Sequence, residues 1–336
     1  MAEWLVGSYG PDMGGTGAGI VAMRSTADGT LEVVGTVDAT PSPTALLAHG
    51  DHLYAAIESE TDGFVQSWRR SGTTLELDGR APTAGTSACN LAVFEGRLIV
   101  TNYGNGVLGV VGLDAAGAVT TLRQAIPGPT GEQGPHPDQG NPRQHAAMVL
   151  DDVLVSLDLG ADELQLHRIE ANEVVRYDTF ALPKGTGPRD IARHPSGLIV
   201  VLGELDATMH LLSWNNLSVN PGFTHLSSVQ LPQVEREHAA ALAFSADGHF
   251  VYTSLRRSDR VAVVHIDVGA ARLSFVDAVP GGGSWGRHLA VDGDLLHVAN
   301  QLSNEVTSFR IGADGIPVPI APGTAVGSPS YLLRAE

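Results

Sequence analysis

The sequence predicts one all-β domain over residues 1–336, a seven-bladed β-propeller with four antiparallel strands per blade. Three observations predict it. A short apolar run ending in a polar residue recurs about every 45–55 residues. Turn pairs such as Asp-Gly, Ser-Gly and Glu-Gly stand before most of these runs. The chain also opens on what reads as a second strand of the repeat and ends on what reads as a first.

The recurring run occupies residues 4–9, 53–58, 98–103, 154–158, 199–204, 250–256 and 296–301. Its β-branched and aromatic content is a strand signal. A first run and a turn precede it at residues 46–51, 91–96, 191–197, 242–248 and 289–293. A third run follows at residues 65–68, 107–111, 164–167, 209–212, 261–264 and 306–309. A more variable fourth comes next, as at residues 75–77 and 273–275. No long amphipathic helix interrupts the pattern, which disfavours a helical solenoid or an α/β fold. Two unrelated β-sandwiches are the competing arrangement.

The ends extend the prediction. Residues 328–333 (SPSYLL) repeat residues 42–47 (SPTALL), a first strand. The C-terminal strand should therefore join the N-terminal blade as its innermost strand, closing the ring and hiding its open edges. One stretch breaks the rhythm. Residues 123–143 are rich in Gly and Pro and show no strand pattern, so they read as a long loop suited to a lid or a binding role.

Composition bounds the function. With 43% apolar and 17% charged residues in 336, the chain can bury a large core. A net charge of −17 disfavours nucleic acid and anionic membranes as partners. An anionic substrate would need a local arginine cluster to overcome that field. Cys89 is the only cysteine, so no internal disulfide forms. There is no apolar stretch long enough to span a membrane, and the N-terminus lacks a basic region followed by an apolar core, so the expected location is the cytoplasm. Nothing in the sequence speaks to oligomeric state.

In a propeller blade the start of the first strand and the end of the second lie on one face. Strand starts supply Asn90, Arg143, His145, Arg189, His238 and Arg287. Strand ends supply Tyr9, Glu58, Asn102, Asp158, Glu204, Arg256, Asn300 and Gln301. These should ring one mouth of the central channel. Arginines there offer forked donors for a carboxylate or phosphate. His145 can act as acid or base, and Glu204 as a base or an orienting group. Polar residues at strand ends commonly do no more than satisfy loop backbone groups. The convergence of His145, Arg189, Glu204 and Arg256 argues for chemistry.

The remaining histidines fall in turns (His49, His52, His194, His249), within strands (His167, His210, His265, His297) or in the long loop (His136). No pair has zinc-ligand spacing. A channel calcium on Glu204, Asn102 or Asn300 would be repelled by the interleaved arginines. Residues 14–19 are glycine-rich, but no helix follows, so they do not read as a nucleotide loop. No metal or cofactor is expected, and Cys89 reads as an inert thiol.

Several segments carry a family resemblance: residues 158–162 (DLGAD), 187–189 (GPR), 194–197 (HPSG), 204–205 (EL), 247–254 (DGHFVYTS) and 299–301 (ANQ). The chain resembles the lactonase family of seven-bladed propellers, which includes bacterial 6-phosphogluconolactonases and fungal carboxy-cis,cis-muconate lactonising enzymes. The resemblance covers essentially the whole chain and is clearest from Asn141 onward. It implies a functional set of a His, two Arg and a Glu, which falls here on His145, Arg189, Arg256 and Glu204. The chain departs from the family pattern in four places. Arg143 stands for the first His of Pro-His-x-His, and Asp190 for the His after Gly-Pro-Arg. Residues 239–242 read Ala-Ala-Ala-Leu where the family has Glu-Ile, and Leu255 replaces the Asn of Ser-Asn-Arg.

The resemblance implies hydrolysis of a small anionic or sugar lactone. Arg189 and Arg256 would grip the substrate or its oxyanion, His145 would handle the proton, and Glu204 would orient it or act as base. Arg143, Arg287, Asn102, Asn300 and Gln301 would complete the binding surface, with a phosphate suiting Arg143 or Arg287. A muconate-type cycloisomerase, running lactone chemistry in reverse, uses the same groups. A non-catalytic propeller scaffold is the third reading.

Overall fold

The computed structural model describes residues 2–216 and 221–335. Among them are seven antiparallel sheets and no α-helix, only two short 3-10 turns at Pro11–Met13 and Pro137–Gln139. Each sheet is a blade, and in every blade but the first the strands run outward in chain order. The second blade shows the pattern: Pro43–His49, His52–Ile57, Phe64–Ser71 and Thr74–Pro82. The inner strands of blades three to seven are Ala88–Phe94, Gln144–Leu150, Pro188–Arg193, Ala239–Phe244 and Gly286–Asp292. In the seventh blade two short strands, Pro317–Pro319 and Thr324–Ala325, share the outer position.

The first blade is closed as the repeat at the chain ends predicts. Pro329–Ala335 pairs antiparallel with Glu3–Ser8, from Glu3 opposite Ala335 to Ser8 opposite Pro329. The inner strands of the seven blades then neighbour one another in a closed ring. Ser330 Oγ donates to the Thr44 carbonyl at 3.1 Å, tying the last strand to the second blade as well.

Burial explains why the strands read as they do. A middle strand lies between two neighbouring blades, so both faces are covered. His52–Ile57 and Val153–Asp158 are buried at every position. An outer strand such as Thr74–Pro82 is mostly open to solvent and keeps few apolar residues. Among the described residues the core is accordingly divided into seven apolar clusters, one at each blade interface. Trp4 and Met23 pack against Val306 between the last and first blades, and Trp68 against Leu5 between the first and second. Each fully buried large side chain contributes about 1.5–3 kcal/mol.

The inner hairpins turn where the sequence placed them. Glu95 and Gly96 both have positive φ (47° and 70°), the two-residue geometry that fits the twist of a hairpin. The long loop needs correction. Its first residues belong to the strand Val119–Ile126, where Gln124 exchanges two hydrogen bonds with the Val174 backbone of the next blade. The remaining loop is pinned. Gln139 is fully buried, and its Nε2 donates to the Leu159 carbonyl (2.8 Å) and to Asp162 Oδ1 (2.6 Å).

Candidate active site

Every inner strand breaks register near its start, leaving an extra residue without a cross-strand partner. Such a bulge re-aims a side chain. In six blades the bulged residue is Ser330, Thr44, Cys89, His145, Arg189 or Arg287, and all six line one cavity of about 180 Å³ in the channel. In the sixth blade the irregularity falls at Ala241 and Leu242, which also line it. Each blade thus turns its bulge toward the cavity, where Asn90, Asp190, His288 and Tyr331 complete the polar lining.

Arg189 is aimed by the segment before it. Gly187 has φ +58°, and a Cβ there would meet Leu205 at 2.6 Å. Its N–H donates to Asp162 Oδ1 at 2.7 Å, while Gly185 N–H donates to Asp162 Oδ2 at 2.8 Å. Asp162 therefore holds both the long loop, through Gln139, and the approach to Arg189.

Glu204 is the centre of the polar network. Its Oε2 accepts from Arg189 Nη1 at 2.5 Å. Its Oε1 accepts from Arg256 Nη2 and lies 2.9 Å from His238 Nδ1. All three charged side chains are buried. Burial alone would raise the Glu204 carboxyl. Arg189, Arg256 and the His238 hydrogen bond outweigh it and hold the group well below the usual carboxylate range. Burial pulls Arg256 down to about 10 against the opposing pull of Glu204, with Arg189 and Arg287 adding repulsion. Glu204 and Arg256 are not part of the cavity wall; Glu204 reaches the cavity through Arg189.

His145 is set deep but open to the channel. Its ring stands edge-on to Tyr103, centroids 5.8 Å apart, and makes no hydrogen bond among the described residues. Burial and then Arg189 push the imidazole well below its ordinary value, with Arg287 and Arg256 adding to this and Glu204 opposing. It is neutral at neutral pH and free to accept a proton.

A second polar group lies on the first, second and seventh blades. Tyr9 Oη donates to Glu58 Oε2 at 2.7 Å, and the Arg287 guanidinium stacks over the Tyr9 ring at 4.8 Å. Arg287 lies 3.9 Å from Glu58, an ion pair without a hydrogen bond. Its guanidinium makes no hydrogen bond among the described residues, so its donors are open to a ligand. The Thr44 hydroxyl, also in the cavity wall, is buried without a partner.

Residues 3–333 match the family model described as lactonase, 7-bladed beta-propeller. The chain belongs to the lactonase family. Family membership accords with the fold. Among curated relatives, an uncharacterized protein of Lactococcus lactis is 29% identical over 290 residues, covering 83% of this chain and 84% of that protein. The 6-phosphogluconolactonase of Bacillus subtilis is 26% identical over 251 residues, covering 71% and 70%. Among solved structures, the periplasmic gluconolactonase of Pseudomonas aeruginosa superposes with a TM-score of 0.89 at 23% identity, covering 100% of this chain and 99% of that one. That last likeness is one of fold.

In this family member Arg189, Arg256 and Glu204 form one bonded cluster with His145 in their electrostatic reach. Other expected residues do not join them. Asn102 is fully buried, and its amide donates to the carbonyls of Val107 (2.9 Å) and Thr83 (3.4 Å). Asn300 donates to Thr307 Oγ1 at 3.0 Å and to the Val298 carbonyl at 3.3 Å. Both amides are committed to neighbouring backbone or side-chain oxygens and are absent from the cavity wall. Gln301 Oε1 is buried without a partner. Arg143 stacks over Tyr103 at 4.6 Å, and its Nε donates to the Asp138 carbonyl at 2.6 Å, so it stands beside His145 outside the cavity wall.

The missed residues have a simple origin. Side chains alternate along a strand, so the residue after Asn102 faces the other way. That residue is Tyr103, the ring partner of His145. His238 stood among the strand starts, but only its contact with Glu204 singles it out. Asn90, Asp190 and His288 serve the frame. Each follows a bulged residue and accepts a backbone N–H from the next inner strand, respectively Ala147 (3.1 Å), Leu242 (2.8 Å) and Leu332 (3.2 Å).

Proposed function

We propose that the chain hydrolyses a sugar lactone at the channel cavity. One observation carries the reading. A neutral, unbonded imidazole, His145, and an arginine free of hydrogen bonds, Arg287, face the same cavity, with Arg189 on its wall. Membership of the lactonase family and the relative named 6-phosphogluconolactonase support it.

Lactone hydrolysis asks for three things. Water must lose a proton as it attacks the carbonyl carbon. The carbonyl oxygen must bear negative charge in the tetrahedral intermediate. The ring oxygen must leave. His145 takes the water proton. Arg189 spends one of its five N–H groups on Glu204 and turns others to the developing oxyanion. Glu204 keeps Arg189 and Arg256 in place as a fixed counter-charge and does not itself serve as base, because three donors already hold it ionised. Arg287, with the Thr44 hydroxyl, suits an acidic substituent on the lactone.

The test is hydrolysis of gluconolactone and 6-phosphogluconolactone, followed by proton release with the spontaneous rate subtracted. Wild type should exceed background on at least one, and His145→Ala should lose about 100-fold or more of that rate. A wild-type rate equal to background on both would overturn the hydrolase reading.

A further inference from the structure

Four blades carry a polar side chain one residue past the bulge, and all four line the cavity: Tyr331, Asn90, Asp190 and His288 on the first, third, fifth and seventh. Three of them take a backbone N–H from the next inner strand. Asn90 uses Oδ1, Asp190 uses Oδ2 and His288 uses Nδ1. Two blades thus meet this demand of the frame with a short amide or carboxylate. The seventh uses an imidazole, which has a second nitrogen to spare. We propose that His288 is a substrate-binding residue, its Nε2–H donating to a hydroxyl oxygen of a polyhydroxylated lactone. The role rests on the lactone-hydrolysis reading above.

The frame contact fixes which nitrogen carries the proton. The Leu332 N–H donates to Nδ1 at 3.2 Å, so Nδ1 is bare and the proton of the neutral ring sits on Nε2. Burial and then Arg189 hold the imidazole at about 3, so the ring is neutral at neutral pH. Tyr331 stacks on it, centroids 3.9 Å and planes 28° apart, and keeps its plane. Nε2 has no partner among the described residues and is not sealed off. His288 therefore offers the cavity a donor that cannot become an acceptor.

Its neighbours in that layer are of the same kind. Asn90 Oδ1 is taken by the Ala147 N–H at 3.1 Å, which leaves its amide N–H groups without a partner among the described residues. The Tyr331 hydroxyl is likewise unpartnered there, and burial and the Asp190 charge push it up to about 12, so it stays protonated. Asp190 spends its oxygens on the N–H groups of Ile191 (2.9 Å) and Leu242 (2.8 Å). This layer is thus made of neutral donors beside one carboxylate. It suits hydroxyl oxygens and opposes an anion, whereas Arg189 and Arg287, among the bulged residues, suit developing or fixed negative charge. A lactone that carries hydroxyls around its ring has oxygens for both layers.

Two substitutions separate the two nitrogens. Asparagine places an acceptor where Nδ1 stands, as Asn90 does on the third blade, and leaves the Nε2 position empty. Glutamine reaches toward Nε2 and gives up Nδ1. For His288→Asn we expect the KM for the sugar lactone hydrolysed, gluconolactone or its 6-phosphate, to rise about tenfold, with kcat within about threefold and an unchanged urea midpoint. For His288→Gln the midpoint should fall while KM stays within about threefold of wild type. The reverse order, a wild-type-like His288→Asn and a His288→Gln impaired in both, would overturn the role and leave the hydrolase reading intact. δ-Valerolactone, the same ring without hydroxyls, checks the ligand atom. Its KM, or its inhibition constant if it is not turned over, should move less than about twofold in His288→Asn; a wild type that ignores it altogether meets the same expectation. An equal rise for both compounds would overturn the hydroxyl assignment. A wild type at background on both sugar lactones would overturn the hydrolase reading, and the role with it. Should His288→Asn not fold, nitrogen NMR of the wild type decides. An Nε2–H of His288 that shifts on adding gluconate is expected, and one that saturating gluconate leaves unmoved overturns the role.

Discussion

Arg189 Nη1 lies 2.5 Å from Glu204 Oε2, and both side chains are buried, so an arginine of the cavity wall is anchored by a carboxylate of its own blade. The same carboxylate reaches Arg256 and His238 of the next blade. It joins two blades and aligns the arginines at once.

Removing that carboxylate should cost stability as well as turnover. Glu204→Ala leaves Arg189 and Arg256 buried without a counter-charge, an expected loss of about 3–5 kcal/mol. Glu204→Gln, which keeps a hydrogen-bond acceptor, should cost less. Urea unfolding of the three proteins checks this, and an unchanged midpoint for Glu204→Ala would show that the arginines find other partners.

The pH profile should report His145. Its folded value lies well below the ordinary one near 6.5, chiefly through burial and Arg189. The active form is the neutral one, so protonation switches the enzyme off. Hence kcat/KM should stay level as pH falls from 8 to about 6.5 and decline only on further acidification. An acidic limb centred at or above about 6.5 would contradict the assignment.

Stability should weaken on the acid side for a related reason. Burial, with help from Arg176 for His167 and Arg189 for His288, holds both rings at about 3. Burial alone holds His297 at about 4. When unfolded they bind protons below about 6.5, so the unfolded state gains protons first and stability falls as pH drops from there. Burial raises Asp158 and Asp206 to about 6, which opposes the trend below that pH. Unfolding midpoints at pH 7.5 and 5 test the net sign; His297→Asn should flatten the difference.

Cys89 lines the cavity yet should be unreactive. Burial pushes its thiol up to about 12, and Sγ lies 3.4 Å from the His145 carbonyl. Iodoacetamide at pH 8 should label the folded chain far more slowly than the unfolded one, and Cys89→Ser should keep turnover within a few-fold. Rapid labelling of the folded protein would show that the thiolate is accessible.

Deleting the last eight residues should unfold the whole ring. It strips the inner partner from Glu3–Ser8 and exposes a new sheet edge beside the second blade. Loss of the cooperative unfolding transition, or insolubility, is the expected outcome. A truncated protein with wild-type melting would mean that the other blades hold the ring unaided.

Strand positions, hairpin turns and the closing strand were legible because each is written in a few consecutive residues: a run of β-branched side chains, a turn pair, a repeated SPxxLL segment. His145, Arg189, Glu204 and Arg256 were legible because strand ends share one face. Asn102 and Tyr103 were confused because they are adjacent, and a shift of one residue reverses the facing of a side chain. Residues 123–126 read as the start of the long loop because Gly and Pro follow them closely, whereas pairing of Gln124–Ile126 with Leu108–Val110 makes them the end of the outer strand Val119–Ile126.

The sequence by itself determined the fold class, the ring closure and a pool of polar residues at one mouth, since all follow from local periodicity and chain ends. Tertiary structure decided which of them act together. Glu204 meets His238 across 34 positions of chain and Arg256 across 52, contacts that exist only because adjacent blades pack face to face around the channel. The bulges that turn His145, Arg189 and Arg287 into one cavity are likewise a matter of strand register, which depends on the partner strand as much as on the residue itself.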